Sequence, residues 1–242
     1  MRIDKFFSEL GLLSRSECKK AAKAGLISVG DRIVKSSDEQ IDPENDSVFY
    51  KGDLVSYSRF VYYMLNKPAG VVTANSDRTH QTVFDLVTDK RPGLSAVGRL
   101  DIDTTGILLI TNDGELNHRL LSSKYHVPKT YVVYSDGAVS EDDIKLLEEG
   151  IDIGDDEPTL PARANVTGAH ETGSIVELTI IEGRYHQVKR MFAAIGKPVI
   201  TLHRRTFGPL VLDSNLAEGE IRLLDTDEIN ALKEAVRSFQ VN

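Results

Sequence analysis

Four short apolar runs, separated by helical patterns, constrain the fold of this 242-residue chain more than any other feature. The runs are VYYML at 61–65, GILLIT at 106–111, KTYVVY at 129–134 and IVELTII at 175–181. Their length and their β-branched and aromatic content are typical of strands. Helical patterns lie at 82–87, 115–122, 141–149, 185–195 and 227–239. This mixed order, with long connections, predicts an α+β domain around a mixed, largely antiparallel sheet.

A different pattern occupies residues 3–35 and predicts two helices followed by a hairpin. Ser14 and Glu17 have the spacing of a capping box, in which each side chain satisfies a backbone N–H of the first helical turn. Gly25 supplies the stop of the same helix. Gly30 and Asp31 then separate two strand-like segments, as in a tight hairpin turn.

The stretch 36–53 is polar and acidic, and it leads to the first apolar run at residue 61. We therefore predict a small N-terminal domain at 1–57 and a larger domain at 58–242.

The distribution of charge is more informative than its sum. A net charge of -8 argues against nucleic-acid binding as a global property. Yet residues 183–212 carry six basic and no acidic side chains, and the first 36 residues carry eight basic against four acidic ones. Two locally basic segments therefore keep nucleic-acid binding open.

The sequence contains no long apolar segment and only one cysteine, and these two features bear on where the protein works and on whether it forms disulfides. Its longest apolar runs are far shorter than the roughly 20 residues of a membrane helix. Lys5 and Glu9 lie where a signal peptide would be apolar. We therefore expect a cytoplasmic protein without a membrane partner. The single cysteine, Cys18, excludes an internal disulfide and is expected to be a small buried residue on a helix.

The segment GRLDIDTTG at 98–106 contains two aspartates, Asp101 and Asp103, whose spacing several chemistries share. A calcium loop beginning at Asp101 would need a carboxylate at its twelfth position, which is Asn112. An aspartate-dependent phosphotransferase would have its apolar strand before the first aspartate, whereas here the strand follows Gly106. An ordinary turn closed by Asp, Thr and Gly remains compatible with the spacing. The segment alone does not decide between a turn and a catalytic loop.

Four segments together resemble a known family. GRLDIDTTGILLITNDG at 98–114, LNKPAG at 65–70, KTY at 129–131 and EGRYHQVKRMFAAIG at 182–196 are similar, in order and spacing, to the pseudouridine synthases that modify ribosomal RNA. The resemblance is to the branch acting on 16S rRNA of the small subunit. The N-terminal pattern resembles a small RNA-binding domain first seen in a small-subunit ribosomal protein.

The resemblance implies an isomerase that converts a uridine to pseudouridine and requires neither cofactor nor metal. It implies that Asp101 is the essential carboxylate and that Asp103 shapes the loop. Tyr131 would stack on the uracil or move a proton. Lys189 would be the cation beside Asp101, with Arg190 as the alternative, because adjacent residues of a helix point about 100° apart.

RNA contacts are also implied. Arg99 would contact or replace the nucleotide that is flipped out of the stack, and Lys67 would support the catalytic loop or contact phosphate. Further phosphate contacts are expected from basic side chains of both domains. These are Arg15, Lys19, Lys20, Arg184 and Arg190.

The expected partner is ribosomal RNA, most simply 16S rRNA in free or assembling form, bound by a monomer. Two alternatives remain open: a pseudouridine synthase acting on 23S rRNA, and a non-catalytic RNA-binding factor in ribosome assembly.

Overall fold

The computed structural model describes residues 1–237, which form two compact units. The first unit contains residues 1–61, 87–94 and 111–113, and the second contains 62–86, 95–110 and the chain from 114 onward. The domain boundary expected between residues 57 and 58 stays a prediction.

The first unit begins with the predicted helix, helix and hairpin. Its elements are α1 (Ile3–Glu9), α2 (Arg15–Lys23), β1 (Ile27–Val29), β2 (Arg32–Ile33), β3 (Val48–Tyr50) and β4 (Asp53–Val55). The strands form an antiparallel sheet in the order β2-β1-β3-β4. The predicted capping box is present, since the Ser14 side chain accepts from the Glu17 N–H and the Ser14 N–H donates to Glu17.

The core of the first unit is small and apolar. The fully buried rings of Phe6 and Phe7 pack edge to face between the helices and the sheet. Cys18 is buried on α2, as predicted, and burial raises the pKa of its thiol to about 11. Gly25 has a φ of 68°, which lets the chain leave α2 in the left-handed conformation.

The second unit contains the other helices and strands. In chain order these are β5 (Tyr62–Lys67), β6 (Ser95–Ala96), β7 (Thr105–Thr111), α3 (Gly114–Leu121), β8 (Lys129–Ser135), α4 (Glu141–Glu149), β9 (Arg163–His170), β10 (Gly173–Ile180), α5 (Gln187–Ala194), β11 (Val199–Phe207), β12 (Leu210–Val211), β13 (Ile221–Leu223) and α6 (Thr226–Ala235). Within residues 1–237, no helix has both the length and the apolar character needed to cross a membrane.

One mixed sheet organises the second unit, in the order β13-β5-β7-β11-β8-β10-β9, with β6 beside β7 and β12 beside β11. The α+β prediction is confirmed. β8, β10 and β9 pair antiparallel with their neighbours, whereas β11 runs parallel to β7. β7 is almost wholly buried, as a central strand must be, and β10 alternates between buried and half-buried residues.

Several predicted elements differ from the structure. The helix expected at 82–87 is only a 3-10 turn, Val83–Asp85, although Thr82 and Asp85 form a capping box. The backbone at its start pairs instead with Val72, which donates to the Gln81 carbonyl and accepts from the Val83 N–H. The helix expected from residue 185 begins at Gln187. The last predicted helix ends at Ala235, and its expected end at Phe239 lies outside the described residues.

The start of β7 depends on a glycine. Gly106 has a φ of 104°, and a Cβ built on it would lie 2.2 Å from the carbonyl oxygen of Arg204 on β11. Gly106 and Arg204 are also partners in the parallel register, and Arg204 Nε donates to the Ile107 carbonyl at 2.8 Å. The absence of a side chain therefore permits the close approach that joins the two strands.

We predict that Gly106→Ala lowers the free energy of unfolding by about 2–4 kcal/mol, because the backbone strain and the contact with a backbone oxygen cannot both be relieved. Urea unfolding measures the change. Gly114→Ala is the matched control, since Gly114 lies in α3 with open space around it. The control is expected to be neutral or stabilising by up to about 1 kcal/mol. Equal stability of the two variants would contradict the prediction.

Candidate functional site

The loop carrying Asp101 is fixed at its backbone. Thr73 Oγ1 donates to the Leu100 carbonyl at 2.9 Å and accepts from the Leu100 N–H at 3.1 Å. The Gly70 N–H donates to the Ile102 carbonyl at 2.8 Å. The loop at 98–104 is therefore held by the segment that follows β5, and Asp101 projects from a fixed frame.

Lys67 holds the same loop from inside. Its side chain is fully buried, and Nζ donates to the carbonyl oxygens of Thr104 at 2.9 Å, Pro68 at 3.0 Å and Ile102 at 3.4 Å. Burial lowers its pKa to about 8, opposed by the charges of Asp103 and Asp101. Of the two roles expected for Lys67, these contacts favour support of the loop, because a buried ammonium is not presented to a phosphate.

Lys189 lies beside both aspartates. Its Nζ is 2.5 Å from Asp103 Oδ1 and 3.2 Å from Asp101 Oδ2. Burial lowers the pKa of Lys189, but the hydrogen bond to Asp103 and the charge of Asp101 outweigh burial, so the pKa is raised. The same hydrogen bond lowers the pKa of Asp103. The ammonium therefore keeps its charge next to the two carboxylates.

His186 is a further residue of the site, which sequence reasoning missed. Its Nε2 lies 3.4 Å from Asp101 Oδ1, so the two oxygens of Asp101 face different basic groups. His186 precedes α5 and lies three residues before Lys189. In the helix predicted at 185–195 this spacing would put both residues on one face, and this is the signal in the sequence that points to His186.

Arg190 and Arg184 are directed away from Asp101. Arg190 donates from Nε and Nη2 to the Ile153 carbonyl and pairs with Asp155, while Arg184 Nη1 and Nη2 donate to the Glu157 and Pro158 carbonyls. The resemblance implies that both contact phosphate. Their donors are instead engaged with the loop after α4, and these contacts indicate that the two residues brace this loop. Lys189, not Arg190, is the cation at Asp101.

Tyr131 is buried in the middle of β8. It is in register with Arg204 of β11, which in turn is in register with Gly106 of β7. Two strand spacings of about 4.8 Å therefore separate Tyr131 from the strand that follows the Asp101 loop.

The remaining predicted residues are exposed. Arg99 lies on the Asp101 loop of the second unit. In the first unit, α2 presents a basic face to solvent. Its exposed side chains are Arg15, Lys19, Lys20 and Lys23.

This geometry suits chemistry on a positively charged or electron-poor centre. Asp101 is partly exposed, with a quarter of its side chain accessible, and its carboxylate is balanced by a neighbouring ammonium. Such a group can act as a nucleophile or as a base.

Comparison with known proteins identifies two matching families. A family described as RNA pseudouridylate synthase matches residues 61–194, and a family described as the S4 domain matches residues 1–48. The first match includes Lys67, Asp101, Tyr131 and Lys189.

Curated relatives match nearly the whole chain. An uncharacterized RNA pseudouridine synthase of Bacillus subtilis, YtzG, is 43% identical and covers 97% of this chain and 99% of its own. The ribosomal small subunit pseudouridine synthase A of Haemophilus influenzae is also 43% identical, covering 96% and 99%. The protein of the same name from Escherichia coli K12 is 39% identical, covering 95% and 98%.

A solved structure agrees with these relatives. The crystal structure of a pseudouridylate synthase is 42% identical to this chain, covers 96% of it and 99% of its own chain, and has a TM-score of 0.67. The family match covers more than half of the chain, and the relatives extend over both matched segments. The chain therefore belongs to the RNA pseudouridylate synthase family of isomerases and carries an N-terminal S4 domain.

Proposed function

We propose that this protein converts a uridine of 16S rRNA in the small ribosomal subunit to pseudouridine, with Asp101 as the essential carboxylate. The observation that carries the proposal is the setting of Asp101, which lies on a braced loop between Lys189 and His186 in a chain of this family. The names of the relatives from Haemophilus influenzae and Escherichia coli support the small subunit as the target.

The reaction breaks the bond between the ribose and N1 of uracil, rotates the base and forms a bond from the ribose to C5. C5 then loses a proton and N1 gains one, so the product is an isomer of the substrate. No atom is gained and no net oxidation occurs. The Asp101 carboxylate would either add at the sugar or abstract a proton to assist cleavage, in the way that glycosidases place a carboxylate at an electron-poor sugar carbon. Tyr131 would stack on the base or move a proton.

Access to the base requires that the target nucleotide leave its stack. Arg99, exposed on the same loop as Asp101, would contact or replace the flipped nucleotide. The basic face of α2 in the S4 domain would add phosphate contacts, which increase affinity without reading sequence. We place the enzyme in the cytoplasm, where ribosomal RNA is assembled into subunits.

The first prediction separates the two aspartates. Asp101→Asn abolishes product because an amide is neither nucleophile nor base. Asp103→Asn keeps a rate within about ten-fold of the original, since Asp103 is an exposed partner of Lys189 and such pairs contribute about 1 kcal/mol. The two variants are charge-matched controls for each other.

Pseudouridine is mapped by carbodiimide primer extension on protein-free 16S rRNA, 23S rRNA and partly assembled small subunits, without added metal. Product only on 23S rRNA would reject the small-subunit target. Absence of product on every RNA would reject the enzymatic function, and activity of Asp101→Asn would reject the assigned aspartate.

The second prediction concerns the ammonium beside Asp101. Lys189→Gln lowers kcat by about 100-fold, because the Asp101 carboxylate loses the ammonium 3.2 Å away that balances its charge in a partly buried site. Lys189→Arg restores most of the rate. Lys197→Gln is the matched control, since the Lys197 side chain lies against Gly137, and its kcat stays within about two-fold. An equal loss in Lys189→Arg and Lys189→Gln would contradict an electrostatic role.

The third prediction is an alkaline limb of kcat with an apparent pKa near 8. Above this pH Lys67 becomes a neutral amine, which has two N–H donors for three carbonyl acceptors, those of Ile102 and Thr104 in the loop and that of Pro68. The loss of activity is not accompanied by a loss of stability. The pKa of Lys67 is about 8 in the folded protein, below its ordinary value of 10.5. Between these two pH values the unfolded chain binds more protons than the folded protein, so a rise in pH favours the folded state.

Single-turnover rates between pH 6.5 and about 9.5 test this prediction. Lys129 is the necessary control, because burial also lowers its pKa to about 8. The limb persists in Lys129→Met if Lys67 is its source. A rate that is flat to the highest pH, or a limb that disappears in Lys129→Met, would contradict the assignment.

A further inference from the structure

The rings of two successive residues, Tyr185 and His186, stack face to face, and His186 lies beside Asp101. Their ring centroids are 3.9 Å apart and their planes differ by 17°. His186 has a φ of 49°, in the left-handed region that residues other than glycine rarely adopt. Strained backbone of this kind persists only where surrounding contacts impose it, and it concentrates at functional sites.

The contacts that hold this segment involve Arg184 and Arg190, the two residues that also bind the loop after α4. Arg190 Nη1 donates to the Tyr185 carbonyl at 3.1 Å, and its other donors are anchored on Ile153 and Asp155. The Arg184 N–H donates to Gln187 Oε1 at 2.9 Å, which fixes the chain on the other side of the pair. The stacked pair is therefore held from both ends.

The pair also has two different faces. His186 lies toward the site, with Nε2 3.4 Å from Asp101 Oδ1. Tyr185 lies on the outside and is 77% exposed. An isolated exposed tyrosine is ordinary. This one stacks on His186, the residue next to Asp101, and the rest of its ring is open to solvent.

We propose that the outer face of Tyr185 receives an unpaired base of the RNA, the nucleotide next to the uridine that enters the site. This inference rests on the proposed function, because it assumes an RNA whose target nucleotide is unstacked from its neighbours. Aromatic side chains recognise unpaired RNA bases by such stacking, which is tolerant of base identity. Tyr185 is a positioning residue in this role: it holds the flanking nucleotide so that the uridine reaches Asp101.

Substitutions at Tyr185 separate the ring from its hydroxyl. Loss of one stacked base weakens binding by roughly 5- to 150-fold, so Tyr185→Ala raises KM by this factor and changes kcat less. Tyr185→Phe keeps the ring and remains within about two-fold of the original KM, because stacking does not need the hydroxyl. Val166→Ala is the control for loss of an exposed apolar side chain, since Val166 lies on β9 at the edge of the sheet.

A cycle with modified RNA tests whether the ring acts on a neighbouring base. After the target uridine has been mapped, synthetic RNA with an abasic site at the preceding or following position is compared with intact RNA. At one of the two positions the abasic RNA raises the KM of the original protein, and Tyr185→Ala then adds no further increase. If Tyr185→Ala has the same effect on intact RNA and on both abasic RNAs, the ring does not stack on a neighbour and the proposal is overturned.

A binding measurement without catalysis distinguishes this proposal from the proposed function. Asp101→Asn protein is titrated with single-stranded RNA containing 2-aminopurine, whose fluorescence is quenched by stacking. The quench is expected with Tyr185 in place and in Tyr185→Phe, and it is lost in Tyr185→Ala. A quench that is unchanged by Tyr185→Ala overturns the proposal. Failure to form pseudouridine, with a quench that depends on the ring, would reject only the proposed function.

Discussion

The site depends on the hydrogen bonds between the buried ammonium of Lys67 and the backbone of the loop that carries Asp101. Removing a charge from water costs several kcal/mol unless hydrogen bonds and opposite charges compensate it. Here the carbonyl oxygens of Ile102, Thr104 and Pro68 accept its hydrogen bonds. The carboxylates of Asp103 and Asp101 oppose the lowering of its pKa by burial. The dependence is mutual, because the lysine fixes the loop and the loop carries the aspartates that stabilise the charge.

The cations of the α5 region divide two tasks between neighbouring residues. Lys189 is close to Asp101 and Asp103, whereas Arg190 points to the loop after α4. Consecutive residues of a helix point in different directions. One short segment can therefore place an ammonium beside Asp101 and also bind the loop after α4. The strained backbone at His186 lies in the same segment, and Arg190 also donates to the carbonyl of the preceding residue, Tyr185.

Local signals in the sequence predicted the elements that they control. The capping box at Ser14, the stop at Gly25 and the apolar run of β7 are confirmed, because each depends on residues close in the chain. β9 and β11 were not predicted. β9 is an edge strand with mostly exposed residues, and β11 interrupts its apolar pattern with His203, Arg204 and Arg205. Arg204 is nevertheless buried, which only tertiary contacts explain.

The candidate site, like the fold, could be predicted from the sequence only in part. The motif and its resemblance indicated Asp101 and Lys189, and the structure brings these two residues together. No local pattern reveals that Lys67 is wholly buried, since a single lysine is ordinarily exposed. Nor does it reveal that Arg184 donates to Glu157, 27 residues earlier, and Arg190 to Ile153, 37 residues earlier. Such partners depend on the folded arrangement of distant segments.

The parallel pairing of β7 with β11 has a consequence for biosynthesis. This pairing joins Gly106 to Arg204. At the edge of the sheet, β13 pairs with β5, which joins Ile221 to Leu65. These strand pairs near Asp101 therefore connect residues that are far apart in sequence. Such contacts form late, because a long segment of chain must be ordered before they close. The S4 domain, whose strands pair within the first 55 residues, has its partners at hand early in translation. A nascent chain can therefore complete the S4 sheet long before it possesses a catalytic site.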